Sequence, residues 1–196
     1  MYCGGMNTPA HLRTKYIAHW IRPIKFGQLL IQETVGRERE KVIELITHWV
    51  LHSSFFLIAA GDWFVDHDDV RYALFRFTNA FDEILDRHLR LVRARTCFQF
   101  LDLLREADEE NNSVLILDPL RHFFNADVEL STRHRVLEQC CQYIKRLSLS
   151  NPVALLVPKL ATEDHKRFFP VLAAIADEII PVDQASEPEV FQVSLF

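Results

Sequence analysis

The chain has 196 residues, with 22 Lys and Arg against 27 Asp and Glu for a formal charge of −5; apolar residues make up 49% and charged residues 25%. Domains commonly run to roughly 100–200 residues, so this length suits one domain with a sizeable core and excludes a second full domain. The composition excludes a disordered tail. The acidic balance excludes a surface that grips nucleic acid all over, so any such contact is expected to be local.

The opening stretch, MYCGGMNTPAHLRTK, lacks the basic start and apolar run of roughly 7–15 residues that mark a secretory signal, and no export is expected. The longest apolar runs, 55–60 and 153–157, fall far short of the roughly 20 residues a membrane-spanning helix needs. A soluble chain with no membrane partner is expected. Cys3, Cys97, Cys140 and Cys141 form no CxxC pair. Buried, reduced thiols are expected, fitting an intracellular protein, cytoplasmic or, in a eukaryotic cell, nuclear.

Short apolar runs alternate with stretches of helical period, the pattern of βαβ units around a parallel sheet. A strand is predicted over 28–32, followed by a helix whose apolar face is Val42, Leu45, Ile46, Trp49 and Val50. The next strand covers 54–60. One helix is then predicted through Val70, Ala73, Leu74, Phe77, Phe81, Ile84 and Leu85, ahead of a strand over 89–94. Phe98, Leu101 and Leu104 suggest a brief helix, and the polar run 106–112 an exposed loop before a strand over 113–118. Val136, Cys140, Tyr143, Ile144 and Leu147 mark a helix expected to start after Ser131 or Thr132 as N-cap and to stop before Asn151-Pro152. Strands over 152–157 and 178–182 follow, and after the polar turn QASEPE the stretch EVFQVSLF is expected as a last strand on one edge.

Three segments carry a resemblance. FGQLLIQETVGREREKVIELI, 26–46, is similar to the strand, phosphate-binding loop and helix of RecA-like and KaiC-like ATPases. SVLILD, 113–118, resembles their second nucleotide strand, and IADEIIPV, 175–182, their "AD, then a short apolar strand" ending. The resemblance implies an α/β fold with a RecA-like core, a mostly parallel sheet with helices on both faces. It implies a core domain over 26–196 behind a helical lead-in over 1–25.

A phosphate loop requires G-x-x-x-x-G-K-[ST], with glycines to curl the backbone, Lys against the phosphates and a hydroxyl on Mg²⁺. With Gly36 set against the family's interior loop glycine, Glu33 stands at the first motif Gly, Glu38 at the second, Arg39 at Lys and Glu40 at Ser or Thr. Three carboxylates at a helix start repel a triphosphate. One reading makes this a nucleotide loop turned to another use; the other makes it an ordinary helix start with interleaved charges. Either way ATP hydrolysis is expected to be lost and no cofactor is expected. The family's catalytic carboxylate is replaced by Gly61, with Asp62 one residue on and read as a turn former. Asp118 reads either as a metal-orienting group or as a strand-end residue that caps the following loop.

The nine histidines are scattered and form no HExxH; His48 and His52 lie four apart without an evident third ligand, and no metal is expected. No nucleophile elbow appears. By the resemblance, the DNA-contacting loops correspond to 119–130 and 158–169. The second carries His165, Lys166, Arg167, Phe168 and Phe169, able to pair with phosphates and stack on bases; the alternative is a helix start whose Phe pair enters the core. Arg90, Arg93 and Arg95 are expected to share one side of a strand near its exposed end. Phe77-Thr78-Asn79-Ala80 matches the FxxA pattern by which recombinase subunits link, although Phe77 is expected on the core face.

The resemblance implies a non-catalytic accessory subunit of DNA recombination and repair, with a protein partner in a homo- or hetero-oligomer and single-stranded DNA as ligand. The alternatives are a structural ring or scaffold subunit, like the nucleotide-free RecA-like subunits of Elongator, and an ATPase in which Arg39 replaces Lys.

Overall fold

The computed structural model describes residues 27–34, 39–60, 65–110 and 112–181. Six strands are present: β1 (Leu29–Thr34), β2 (Phe55–Ala60), β3 (Leu89–Ala94), β4 (Ser113–Leu117), β5 (Val153–Pro158) and β6 (Glu178–Ile180). Each falls where an apolar run predicted it. All pair in parallel in the order β3-β2-β4-β5-β1-β6. The helices are α1 (Arg39–His52), α2 (His67–Leu74), α3 (Phe81–His88), α4 (Cys97–Glu109), α5 (Leu130–Ser150) and α6 (Glu163–Ala173), with a 3₁₀ turn at Arg121–Phe124.

Strand order explains where the helices go. The chain steps one way across the sheet from β1 to β2 to β3, then returns through β4 and β5 to β6. Crossovers between parallel strands are right-handed, so reversing the direction reverses the covered face. One core therefore joins Leu30, Phe55, Leu57 and Leu115 to Val42 and Ile46 of α1, Val70 of α2 and Leu85 of α3. The other joins Leu29, Ile31, Phe56 and Ile116 to Leu104 of α4, Ile144 of α5 and Phe168 of α6. Alternate residues of every central strand are thus buried on opposite faces, which is why the strands are apolar nearly throughout. The fold is α/β with helices on both faces, consistent with a RecA-like α/β core. No described helix is long and apolar enough to cross a membrane.

Four local expectations change. The single helix through 70–85 is two, because the turn at 75–80 stops it: the Thr78 hydroxyl accepts the Ala80 N–H at 3.1 Å, a bond that competes with helix continuation. Phe77 N–H bonds to the Leu74 carbonyl three residues back at 2.8 Å, tightening the chain out of the α-helix. Phe77 is consequently 42% exposed instead of facing the core. The brief helix at 98–104 is α4, 13 residues long, capped by the Thr96 hydroxyl accepting the Gln99 N–H at 3.1 Å. Helix α5 starts at Leu130 with Glu129 as its cap residue, so Ser131 and Thr132 sit inside its first turn. The lead-in over 1–25 and the stretch EVFQVSLF lie outside the described residues.

Arg90 and Arg93 do not share a side. Three residues apart on a strand, they must face opposite ways. Arg90 lies over the Phe56 ring and pairs with Glu106 and Glu110 near the end of α4, whereas Arg93 donates to the Val65 carbonyl at 2.9 Å on the other face. Arg95 has left the strand.

Candidate functional site at the carboxyl edge of the sheet

In open α/β sheets, ligands sit outside the carboxyl ends of the strands where neighbouring connections leave to opposite faces. Strands β1 and β5 make such a pair, since β1 leads into α1 on one face and β5 into α6 on the other. Their ends run together with Glu33 beside Val157 and Thr34 beside Pro158. The sequence-predicted residues gather around this edge but do not form one constellation.

Gly36 lies outside the described residues, as do Glu38, Gly61 and Asp62. Glu33 is buried near the end of β1, and Glu40 is exposed in the first turn of α1. Arg39, the first residue of α1, pairs with Asp69 at 2.5 Å. Asp69 in turn belongs to the capping box of α2, accepting the Asp66 N–H at 3.1 Å while the Asp66 carboxylate accepts the Asp69 N–H at 2.9 Å. The Asp69 N–H and the neighbouring Asp68 N–H, with the Arg93 charge nearby, hold the Asp66 carboxyl below its usual range. Arg39 thus ties two helix starts together.

Asp118 is buried at the end of β4, with its N–H donating to the Leu156 carbonyl at 2.8 Å and its own carbonyl accepting from Arg121 at 3.2 Å. Its φ of 51° lies in the left-handed region, which Asp and Asn tolerate better than most residues. Its backbone turns the chain from β4 into the 3₁₀ segment.

The second predicted loop is the start of α6. Thr162 caps it by accepting the His165 N–H at 3.2 Å. Residues 165, 168 and 172 then share the buried face, while 166 and 167 point outward. Phe168 is therefore not available to stack on bases: it is fully buried, 6.1 Å from the Phe123 ring and 4.9 Å from that of His134. His165 is 7% exposed and stacks on Phe169 at 5.1 Å. Its ring bonds to the Pro158 carbonyl; burial pushes its pKa below 6.5 against the opposing pull of Glu33. Lys166 is exposed and pairs with Glu163 at 2.7 Å, and Arg167 is exposed beside it. Of the four predicted contacts, Lys166 and Arg167 alone reach solvent.

Sequence reasoning named His165 but missed the other polar groups behind this edge. Among the described residues, the buried side-chain atoms without a hydrogen-bond partner are Gln32 Oε1, His122 Nε2, Arg133 Nε and His165 Nε2. Gln32 lies in β1, His122 in the 3₁₀ turn after β4, and Arg133 and His165 in the first turns of α5 and α6. Buried polar groups are rarely left unpaired, and each one that is calls for an explanation. Arg133, in the first turn of α5, donates from Nη1 to the Phe123 carbonyl at 2.9 Å, lies 3.7 Å from Asp164 and crosses the Phe168 ring at 5.6 Å. Nothing in its sequence context marks it as buried.

Elsewhere, His48 and His52 meet edge to face at 4.7 Å, and among the described residues no group of three or more ligands joins them or gathers elsewhere. Cys97, Cys140 and Cys141 are free and buried. Burial pushes the Cys141 thiol up to about 12 and that of Cys140 higher still, so both stay protonated and unreactive. Compared with known proteins, the chain matches no protein-family model and no curated protein.

Proposed function

We propose that this protein is a non-catalytic RecA-like accessory subunit of DNA recombination and repair, acting through protein contacts and through single-stranded DNA. The observation that carries the reading lies at the end of β1. Glu33, a buried carboxylate, stands where a phosphate loop has its first glycine, and Arg39, at the motif's lysine position, is bonded sideways to Asp69. Negative charge at that point repels a triphosphate, while the parallel sheet that would have carried the loop is kept. A scaffold that retains the sheet without the phosphate site works by its surfaces.

Two surfaces support it. Lys166 and Arg167 point outward from the first turns of α6, at the loop where the resemblance sets a DNA contact. Tyr72, Phe75 and Phe77 are exposed aromatics on α2 and the turn after it, and Phe77 opens the FxxA stretch. Exposed aromatics of this kind mark protein contacts.

Calorimetry with Mg-ATP tests the first part: no heat at micromolar concentration is expected, and micromolar binding refutes it. Mobility shift tests the second: salt-sensitive binding to single strands, alone or with the co-purifying partner, is expected, and its absence removes DNA from the reading. Native mass measurement of a closed hexamer favours the ring scaffold instead.

A further inference from the structure

A groove of about 630 Å³ runs along the second half of α5 and past the end of α6. Cys141 on α5, Val171 on α6 and Ile175 just beyond it give it an apolar floor, and Leu149 stands at one end, 68% exposed. The two cations that line it are held by carboxylates of the fold, Lys145 by Asp177 at 2.8 Å and Arg146 by Asp108. Glu138, at the other end, is exposed. A groove with an apolar floor between two helices suits the apolar face of a third. It also adjoins the point where the chain enters the sheet. The Asp177 carboxylate joins the two, because Oδ1 accepts from Lys145 Nζ at 2.8 Å while Oδ2 accepts the Leu29 N–H at 2.8 Å. Two residues before Leu29, Gly27 has a φ of 76°, a left-handed turn that glycine takes at no steric cost.

We propose that this groove is the docking site of the chain's own segment 9–22, laid into it as an amphipathic helix. That segment lies outside the described residues, and its sequence has the signals of such a helix. Thr8 and Pro9 suit the N-cap and the first helical position, and Pro23 halts the helix after Arg22. Leu12, Tyr16 and Trp20 repeat at i, i+4 and i+8 with Ile17 and Ile21 beside them, while His11, Lys15 and Arg22 fall on the opposite face. A helix of this length is marginal alone in water, so it needs a surface to fold against. Only 23–26 separate it from Gly27, and at roughly 3.3 Å per residue they reach about 13 Å, which confines the helix to this edge of the sheet. Leu149 lies at the Gly27 end of the groove, because α5 runs into β5, whose Val153 pairs with Leu29. The lengths agree, since Glu138 to Leu149 spans about 16 Å of helix and Leu12 to Ile21 about 14 Å. With Ile21 beside Leu149, the helix start lies towards Glu138, where a carboxylate favours the positive end of the dipole. Charge agrees as well: no Asp or Glu precedes Glu33, whereas Arg13, Lys15, Arg22 and Lys25 do. Nothing in this docking depends on the accessory-subunit reading.

The test is amide hydrogen exchange on the full chain, with the free peptide 1–26 as reference. Amides of 13–22, those with a partner inside the helix, are expected to exchange at least about tenfold more slowly in the full chain than in the peptide. Leu149→Glu puts a charge at an exposed end of the groove, and Trp20→Ser removes the largest apolar side chain of the segment. Each is expected to abolish the protection of 13–22 while the amides of β1, β4 and β5 stay protected, which shows the fold intact. Arg87→Glu, on α3 at the other face of the sheet, is expected to change nothing. Exchange over 13–22 as fast as in the peptide overturns the proposal. So does protection that survives Leu149→Glu combined with Ile175→Glu, which places the segment on another surface. Protection that grows with protein concentration, alongside a dimer in sedimentation, also overturns it by giving the groove to the segment of a second copy.

Discussion

Arg39 and Asp69 meet at 2.5 Å, and through them the first residue of α1 is fastened to the capping box of α2. Arg39 is half exposed, so the ion pair itself contributes little, whereas the box satisfies backbone N–H groups that have no partner inside the helix. Arg39→Ala is expected to cost less than about 1 kcal/mol, and Asp66→Ala about 0.5–2 kcal/mol through the lost cap. Urea denaturation of both variants checks the order, and a larger loss for Arg39→Ala contradicts it.

The same pair bears on nucleotide binding. Arg39→Lys restores the phosphate-loop lysine but leaves Glu33 buried at the end of β1. Calorimetry with Mg-ATP is expected to show no binding to this variant. Recovery of micromolar affinity would mean that the loop needed one cation and that the carboxylate was no obstacle.

Stability is expected to fall on acidification from pH 6.5. His48, His122 and His165 all have pKa values lowered from 6.5, chiefly by burial, with His52 and Arg121 adding like-charge repulsion at the first two. Below 6.5 the unfolded chain takes up protons that the folded protein refuses, so its free energy drops relative to the native state. The stabilisation is fully present above 6.5 and is lost progressively as pH falls towards the lowered folded values. Denaturation midpoints measured between neutrality and pH 5 are expected to decline, and His165→Asn is expected to flatten the decline. An unchanged slope in that variant would remove His165 as a contributor.

The strands and both faces of the sheet were legible because a strand covered on two sides must be apolar throughout, and runs such as FFLIAA and VALLVP leave no alternative period. The break at 75–80 was not, because Phe77 continues the apolar spacing of Val70 and Leu74, and the chain is diverted by local bonds, Phe77 N–H to the Leu74 carbonyl and Ala80 N–H to the Thr78 hydroxyl. At α6 the residue types were visible but their phase was not: whether Phe168 faces in or out depends on Thr162 being the cap. The unpaired Arg133 Nε and His165 Nε2 arise from tertiary packing between α5, α6 and the ends of β1 and β5. Sequence spacing carries no trace of that convergence.

Phase at α6 predicts opposite outcomes for adjacent residues. Phe168→Ala removes a fully buried ring from among Phe123, Phe124 and His134 and is expected to cost about 3–5 kcal/mol. Lys166→Ala with Arg167→Ala touches the surface alone and is expected to change stability by about 0.5 kcal/mol or less. If the α6 surface contacts single-stranded DNA, that double variant weakens binding and lowers the salt slope by about two, one for each phosphate contact. Thermal denaturation separates the first effect, and mobility shift across a salt series the second.

The exposed aromatics of α2 and the turn after it give the last test. Tyr72 is 79% exposed, so replacing it with Ser removes little packing and is expected to leave the denaturation midpoint nearly unchanged, whereas Phe77, at 42%, is more than half covered and its replacement is expected to cost about 1 kcal/mol. Phe75 differs, because its ring meets that of Phe81 edge to face at 5.5 Å and its loss is expected to cost about 0.5–1.5 kcal/mol. Tyr72→Ser combined with Phe77→Ser is the informative variant, read with Tyr72→Ser alone as the comparison that leaves packing intact. Sedimentation of this variant with the co-purifying partner is expected to show association weakened by tenfold or more, the scale of one interface anchor lost. Full association at unchanged affinity would move the partner contact to another face and leave these aromatics as isolated exposed residues.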